Sequence, residues 1–185
     1  MSGGVPMVAG SNLTVSRRVA RDIVGPVVFE AVLAELSSEE RASYMDSTAV
    51  SWVPVAHIDA VMERLAQRSG RVPEELVMEL TRRVQEEMLH TLYRVLMRVT
   101  TDAALIERTQ TFYAKVYDTG TLSSVFPAPG RCEVTLSGWP SISNLQIAGL
   151  GAGVETTLRC AGRKEARVHG RRADDGAFYQ CAWRR

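Results

Sequence analysis

The chain opens without a periodic pattern and then settles into helical spacing for about a hundred residues before the period changes to two. Met1 to Asn12 is rich in Gly and Ser with one Pro, and reads as a flexible tail. Leu13 to Val24 sets Val15, Val19, Ile23 and Val24 among arginines, a spacing open to a short strand or a helical turn. Gly25-Pro26 starts a helix, because proline at the first helical position gives up a hydrogen bond it could not have made. Val28, Phe29, Val32, Leu33 and Leu36 follow at helical spacing. Ser37 and Glu40 stand at capping-box distance and begin a second, short helix that ends near Asp46.

Trp52-Val53-Pro54 breaks the pattern, since proline holds the preceding residue extended. Val55, Ile58, Val61, Met62 and Leu65 then mark an amphipathic helix stopped by Gly70. Pro73-Glu74-Glu75 opens the longest helix, predicted to run to about Thr100 on the stripe Val77, Leu80, Val84, Met88, Leu92, Val95, Leu96 and Val99. Asp102 caps another helix, with Leu105, Ile106, Phe112, Tyr113, Val116 and Tyr117 apolar, and Asp118-Thr119-Gly120 ends it.

From Thr121 the alternation is that of strands. Leu122 to Phe126 and Arg131 to Ser137 flank a Pro-Gly turn, with Cys132, Val134 and Leu136 on one face. A helix capped by Ser141 and stopped by Gly162 follows, carrying Gly149, Gly151 and Gly153, which weaken it but allow close packing. Arg163 to Arg171 and Ala177 to Trp183 flank Ala173-Asp174-Asp175-Gly176 as a hairpin. The sum is an α+β fold: an N-terminal helical layer packed on a C-terminal antiparallel sheet, with one helix between its strands. Residues 1–12 form the tail and 13–185 a single α+β domain.

Composition narrows the function. With 185 residues, 45% hydrophobic and 23% charged, the chain suits one core that buries about 70% of the extended-chain surface. The net charge of +1 gives no general attraction to nucleic acid or anionic lipid. The Arg-rich stretch from Arg159 to Arg185 reads as the solvated face of the hairpin. Three cysteines, Cys132, Cys160 and Cys181, carry no CxxC spacing and fit a reducing compartment. No leader-like segment or membrane-length apolar run is visible, so the expectation is a soluble cytoplasmic protein.

No catalytic set emerges. Gly149 to Gly153 lies inside a helix rather than between a strand and a helix start, which is wrong for a phosphate loop. His57, His90 and His169 lie on separate elements without metal-ligand spacing. Trp52, Tyr93, Phe112, Tyr113, Tyr117 and Trp139 are the candidates to line an apolar pocket between helices and sheet, and are equally what an ordinary core contains.

Three stretches together carry a resemblance: Ile23 to Leu33 as a strand-Gly-helix opening, Trp52-Val53-Pro54-Val55 entering a helix, and Gly138-Trp139-Pro140 through Gly153-Val154-Glu155, then Leu158 and Gly162, with the hairpin closing on Cys181-Ala182-Trp183. In these the chain resembles a myxobacterial paralogous family of unassigned function. More distantly it is similar to the superfamily of haem-nitric-oxide/oxygen-binding domains, four-vinyl-reductase-type ligand domains and TRAPP vesicle-tethering subunits. The resemblance implies helices on one face of an antiparallel sheet, a cavity between the layers, and binding rather than catalysis. The haem branch's Tyr-x-Ser-x-Arg string is absent here, so neither haem nor His90 as its ligand carries over, and no cofactor or metal is assigned. The expected function is a non-enzymatic binding or regulatory module for a small apolar ligand or a protein partner, as a homodimer. A dimeric adaptor and a thiol-dependent enzyme are the alternatives.

Overall fold

The computed structural model describes residues 4–89, 97 and 100–184. Helices α1 (Leu13–Val24), α2 (Pro26–Glu35), α3 (Ser38–Met45), α4 (Val55–Ser69) and α5 (Pro73–Met88) form the N-terminal layer. Helix α6 (Asp102–Val116) leads into strands β3 (Thr121–Ala128) and β4 (Arg131–Ser137), then helix α7 (Asn144–Cys160), and finally β5 (Lys164–Ala173) and β6 (Gly176–Arg184). The four strands make one antiparallel sheet in the order β3-β4-β6-β5, so α7 carries the chain over β6 from β4 to the far edge. The α+β architecture with one helix between the strands is therefore as the periodicity indicated.

Many predicted boundaries have the predicted cause. Pro26 stands in the first turn of α2 behind Gly25 at φ 85°, and Gly70 ends α4 in the left-handed region. Ser37 Oγ accepts from Glu40 N while Ser37 N donates to the Glu40 carboxylate, a complete capping box. Two caps fall beside their predicted positions: Thr101, not Asp102, caps α6, and Ser143, not Ser141, caps α7.

Three expectations change. The undecided stretch Leu13–Val24 is helical, its Leu13, Val19 and Ala20 buried on one side while its arginines reach outward. Arg17 donates to the carbonyls of Tyr44, Met45 and Ser47 and so closes the end of α3. Within residues 1–12 a short strand forms. Met7–Ala9 forms strand β1 against β2 (Trp52–Pro54), Met7 N donates to Asp118 Oδ1 at 2.8 Å, and Val8 and Ala9 are buried. Local composition is poor there, but the partner strand lies far along the chain and supplies the missing contacts. The long helix ends at Met88, because Leu89 turns out of helical geometry with ψ 78°. The continuation predicted over Leu92, Val95, Leu96 and Val99 lies outside the described residues, as do His90 and Tyr93.

The sheet buries one face. Cys132, Val134 and Leu136 of β4 and Ala177, Tyr179, Cys181 and Trp183 of β6 point to the helices, and their alternates point away. Edge strand β5 is covered by side chains of α7. Glu155 accepts from Val168 N at 3.2 Å and Arg159 reaches Ala166 O, so part of its outward ladder is already paired. The Arg-rich tail is also largely engaged. Arg171 lies 4.7 Å over the Phe178 ring, Arg172 meets Asn144, Arg184 meets Glu165, and Arg159 meets Glu155.

Arg163 is buried beyond the end of α7. Its guanidinium donates to Asp102 Oδ1 at 2.9 Å and to the carbonyls of Met97, Thr100 and Ala161. This cluster fixes the start of α6 to the turn before β5. Breaking a buried ion pair by removing one of its partners costs about 3–5 kcal/mol. Arg163→Ala should therefore lower the urea-unfolding free energy by about 3 kcal/mol or more; a loss within ~0.5 kcal/mol, the range of ordinary surface changes, would contradict this role.

Candidate functional site

The described apolar residues pack as two clusters. One joins α6, α7 and the sheet through Leu105, Ile106, Tyr113, Val134, Leu158 and Tyr179. The other joins α1 to α5 through Phe29, Val32, Tyr44, Val61, Leu65 and Leu80. Between them lies a cavity of about 190 Å³ lined from both sides. Val77, Leu80 and Val84 of α5 form one wall, Leu150 and Val154 of α7 another, and Phe112, Tyr113 and Val116 of α6 a third. Met88 and Phe112, 37% and 45% exposed, stand where the cavity meets solvent.

The glycines of α7 make this space. A Cβ on Gly149 would lie 3.1 Å from Val77 Cγ1, and one on Gly153 would lie 3.0 Å from Gln85 Nε2. Gly151, on the opposite side of the helix, faces the Tyr179 ring. Gly170 of β5 is tighter still, since a Cβ there would come within 2.7 Å of the same ring. The helix can therefore lie between α5 and the sheet while the larger Leu150 and Val154 spread into the gap beside it.

Of the six aromatic candidates, the structure gathers four. Phe112, Tyr113 and Tyr117 line the cavity. Tyr113 and Tyr117 stack at 5.1 Å, and Trp139, itself buried, packs against Tyr117 at 5.6 Å from behind. Trp139 is held by the hairpin: its N donates to Asp175 O, and Gly138 N donates to Asp175 Oδ2. Trp52 lies apart on β2, 47% exposed, because its neighbour Val53 takes the inward position of that strand. Tyr93 lies outside the described residues.

One end of the cavity is polar, and the aromatic reading missed it. Tyr117 Oη donates to Gln146 Oε1 at 2.9 Å, and Gln146 Nε2 donates to Asp59 Oδ1 at 2.7 Å. Tyr113 Oη instead donates to Thr119 O at 2.6 Å. Burial holds the Asp59 carboxyl above its ordinary value, against the hydrogen bonds of Gln146 and Ser143, and the like charge of Glu63 adds to the rise. Among the described residues no cation pairs with Asp59, and none of those lining the cavity is Lys, Arg or His. The sequence did hold a signal for this end. Asp59 interrupts the apolar stripe of Val55, Ile58, Met62 and Leu65, and Gln146 shares a stripe with Gly149, Leu150 and Gly153.

The other candidates are placed elsewhere. His57 pairs with Ser43 at 2.9 Å, and His169 lies on β5 facing a separate groove. Cys132 and Cys181 face each other across β4 and β6, both buried. Burial pushes their thiols up to about 11 and about 12. Among the described residues no cluster of His, Cys, Asp and Glu has metal-binding geometry, and no helix is long and apolar enough to cross a membrane.

Solved structures share this helical layer over an antiparallel sheet across nearly the whole chain. They are H-NOX domains. The Fe(II) unliganded H-NOX protein from K. algicida matches with a TM-score of 0.70 at 10% identity, over 96% of this chain and 97% of that one. A Cs H-NOX mutant carrying 4-cyano-L-phenylalanine matches at 0.69 and 11% identity, over 96% and 97%. An oxygen-binding H-NOX domain related to soluble guanylate cyclases matches at 0.64 and 10% identity, over 96% and 95%. The fold is that of the haem-nitric-oxide/oxygen-binding domains. No protein-family model and no curated protein matches the sequence.

The raised Asp59 carboxyl has a stability consequence. A carboxyl whose folded pKa exceeds its unfolded one favours folding fully below the unfolded value, and loses that contribution as pH rises through the folded value. Asp59→Asn keeps an acceptor for Gln146 and removes the charge. It should raise the urea midpoint at pH 7.5, with the gain shrinking as pH falls to 4; a destabilisation larger at pH 7.5 than at pH 4 would contradict the shift.

Proposed function

We propose that this chain is a non-enzymatic binding module, one α+β domain reaching back to Met7, that holds a small apolar ligand in the seam between its helical layer and its sheet. The cavity itself carries the reading. It is mainly apolar, and its walls come from both packed clusters, so an occupant changes how the layers fit together. An engineered cavity of about 150 Å³ with apolar walls takes up benzene or xenon, so 190 Å³ suits a molecule of one ring and a short arm. The shared fold supports the reading, since the H-NOX neighbours include a domain described as oxygen-binding.

Haem does not fit the described lining. The cavity is smaller than the roughly 300 Å³ at which sites for drug-sized ligands begin, and a porphyrin needs more than that. No described lining residue offers a histidine for iron or a cation for propionates, and the Tyr113 and Tyr117 hydroxyls are already engaged.

At Cys132 and Cys181 burial disfavours the thiol-enzyme alternative, keeping both as neutral thiols near pH 7, which leaves the half-buried Cys160 as its one remaining candidate among the three. The adaptor alternative needs an apolar face, for which the exposed Phe112 of α6 and Val125 and Phe126 of β3 are the candidates; a protein partner and a homodimer stand behind the small ligand, whose cavity is already formed.

Titration with toluene, followed by amide chemical shifts, tests the proposal. Saturable shifts should concentrate on α5, α6 and α7, and should vanish in Leu150→Trp, whose indole occupies the same space. Shifts that are absent in the native protein, or that persist unchanged in Leu150→Trp, would overturn it.

A further inference from the structure

The charge of the cavity is one-sided: among its described lining residues Asp59 carries a carboxylate, and none is Lys, Arg or His. Asp59 supplies a carboxylate without an ion pair among the described residues, and the relay behind it fixes its role. Because the Tyr117 hydroxyl donates to Gln146 Oε1, the amide group of Gln146 must present Nε2 to Asp59, which is thereby held as an acceptor. Gln85 Oε1, also buried at this cavity, has no partner among the described residues. Neither has the hydroxyl of Tyr179, a lining residue only 1% exposed. Buried polar atoms are ordinarily satisfied, so two orphans at one cavity point to a missing hydrogen-bonding occupant. Tyr113 and Tyr117 add ring surfaces, whose negative faces attract a cation.

We propose that the ligand is a small hydrophobic amine, bound as its ammonium with the charged head at Asp59 and the apolar body against Leu150, Val84 and Phe112. This rests on the cavity being a ligand site, and it adds the chemical class. An ammonium has three donors and no acceptor, which complements a carboxylate and neutral acceptors without repulsion. A carboxylic acid would place a second negative charge beside Asp59, with Glu63 close by. A neutral alcohol would leave the carboxylate unneutralised. The size of the cavity limits the body to about one ring or a short branched chain.

Toluene, benzyl alcohol, benzylamine and benzoate share one ring and differ in the head, so their binding to the full chain at pH 7.5 separates the claims. Benzylamine should bind at least about tenfold more tightly than toluene or benzyl alcohol, as charge-assisted hydrogen bonds require, and benzoate should be the weakest. Asp59→Asn should bring benzylamine down to the affinity of benzyl alcohol, and the dispersion of its amide spectrum reports that the variant is folded. Asp59→Ser serves the same purpose should the asparagine variant not fold. Toluene binding without an advantage for benzylamine overturns the amine proposal and leaves the ligand site standing. An advantage that survives loss of the carboxylate overturns the role of Asp59. Failure of all four probes to bind overturns the ligand site and the amine together.

Discussion

The close passage of α7 between α5 and the sheet is the constraint on which the rest of the molecule depends. Gly149 and Gly153 admit α5 on one side, and Gly151 and Gly170 admit the Tyr179 ring on the other. Glycine inside a helix is unfavourable by about 1 kcal/mol relative to alanine, so three in five residues make a locally weak helix. That weakness is offset by packing on both sides. Side chains from the same helix, Glu155 and Arg159, also cover the edge of β5, and Arg163 just beyond it ties down the start of α6. One helix therefore sets the spacing of the layers, protects the sheet edge and shapes the cavity.

The cavity follows from the same geometry. Two clusters that pack well internally meet along a seam where α7 is thin and its neighbours are large. Leu150 and Val154 stand out on either side of the glycine positions, and the space between them and α5 stays open. The polar end arises where α4 and α7 converge, with Asp59 and Gln146 joined by one hydrogen bond. Holding a partly buried carboxyl there lowers stability, and sites of that kind are where binding chemistry concentrates.

Local chemistry made the architecture legible. The capping box at Ser37, the proline at the start of α2 and the Asp-Asp-Gly turn of the last hairpin each act within a few residues, and each stands where the pattern placed it. What escaped depends on distant partners. Strand β1 exists because β2 pairs with it from more than forty residues away, and the inward path of Leu13–Val24 is set by α5 and α2. The site shows the same division. Aromatic residues near Tyr117 were legible as apolar bulk, whereas Asp59 and Gln146 were not, because a single polar residue in an apolar stripe acquires meaning only when another element brings it a partner. Trp52 misled for the opposite reason: its size suggested burial, but strand alternation gave the inward position to Val53.

Crystals of the protein held under xenon pressure would test the central claim most directly, because xenon reports a preformed apolar space without specific chemistry. The account predicts a xenon peak in the seam between Val84, Leu150 and Val154, with α5, α7 and β6 unmoved around it. A seam filled by those side chains, with no xenon between the layers, would contradict it.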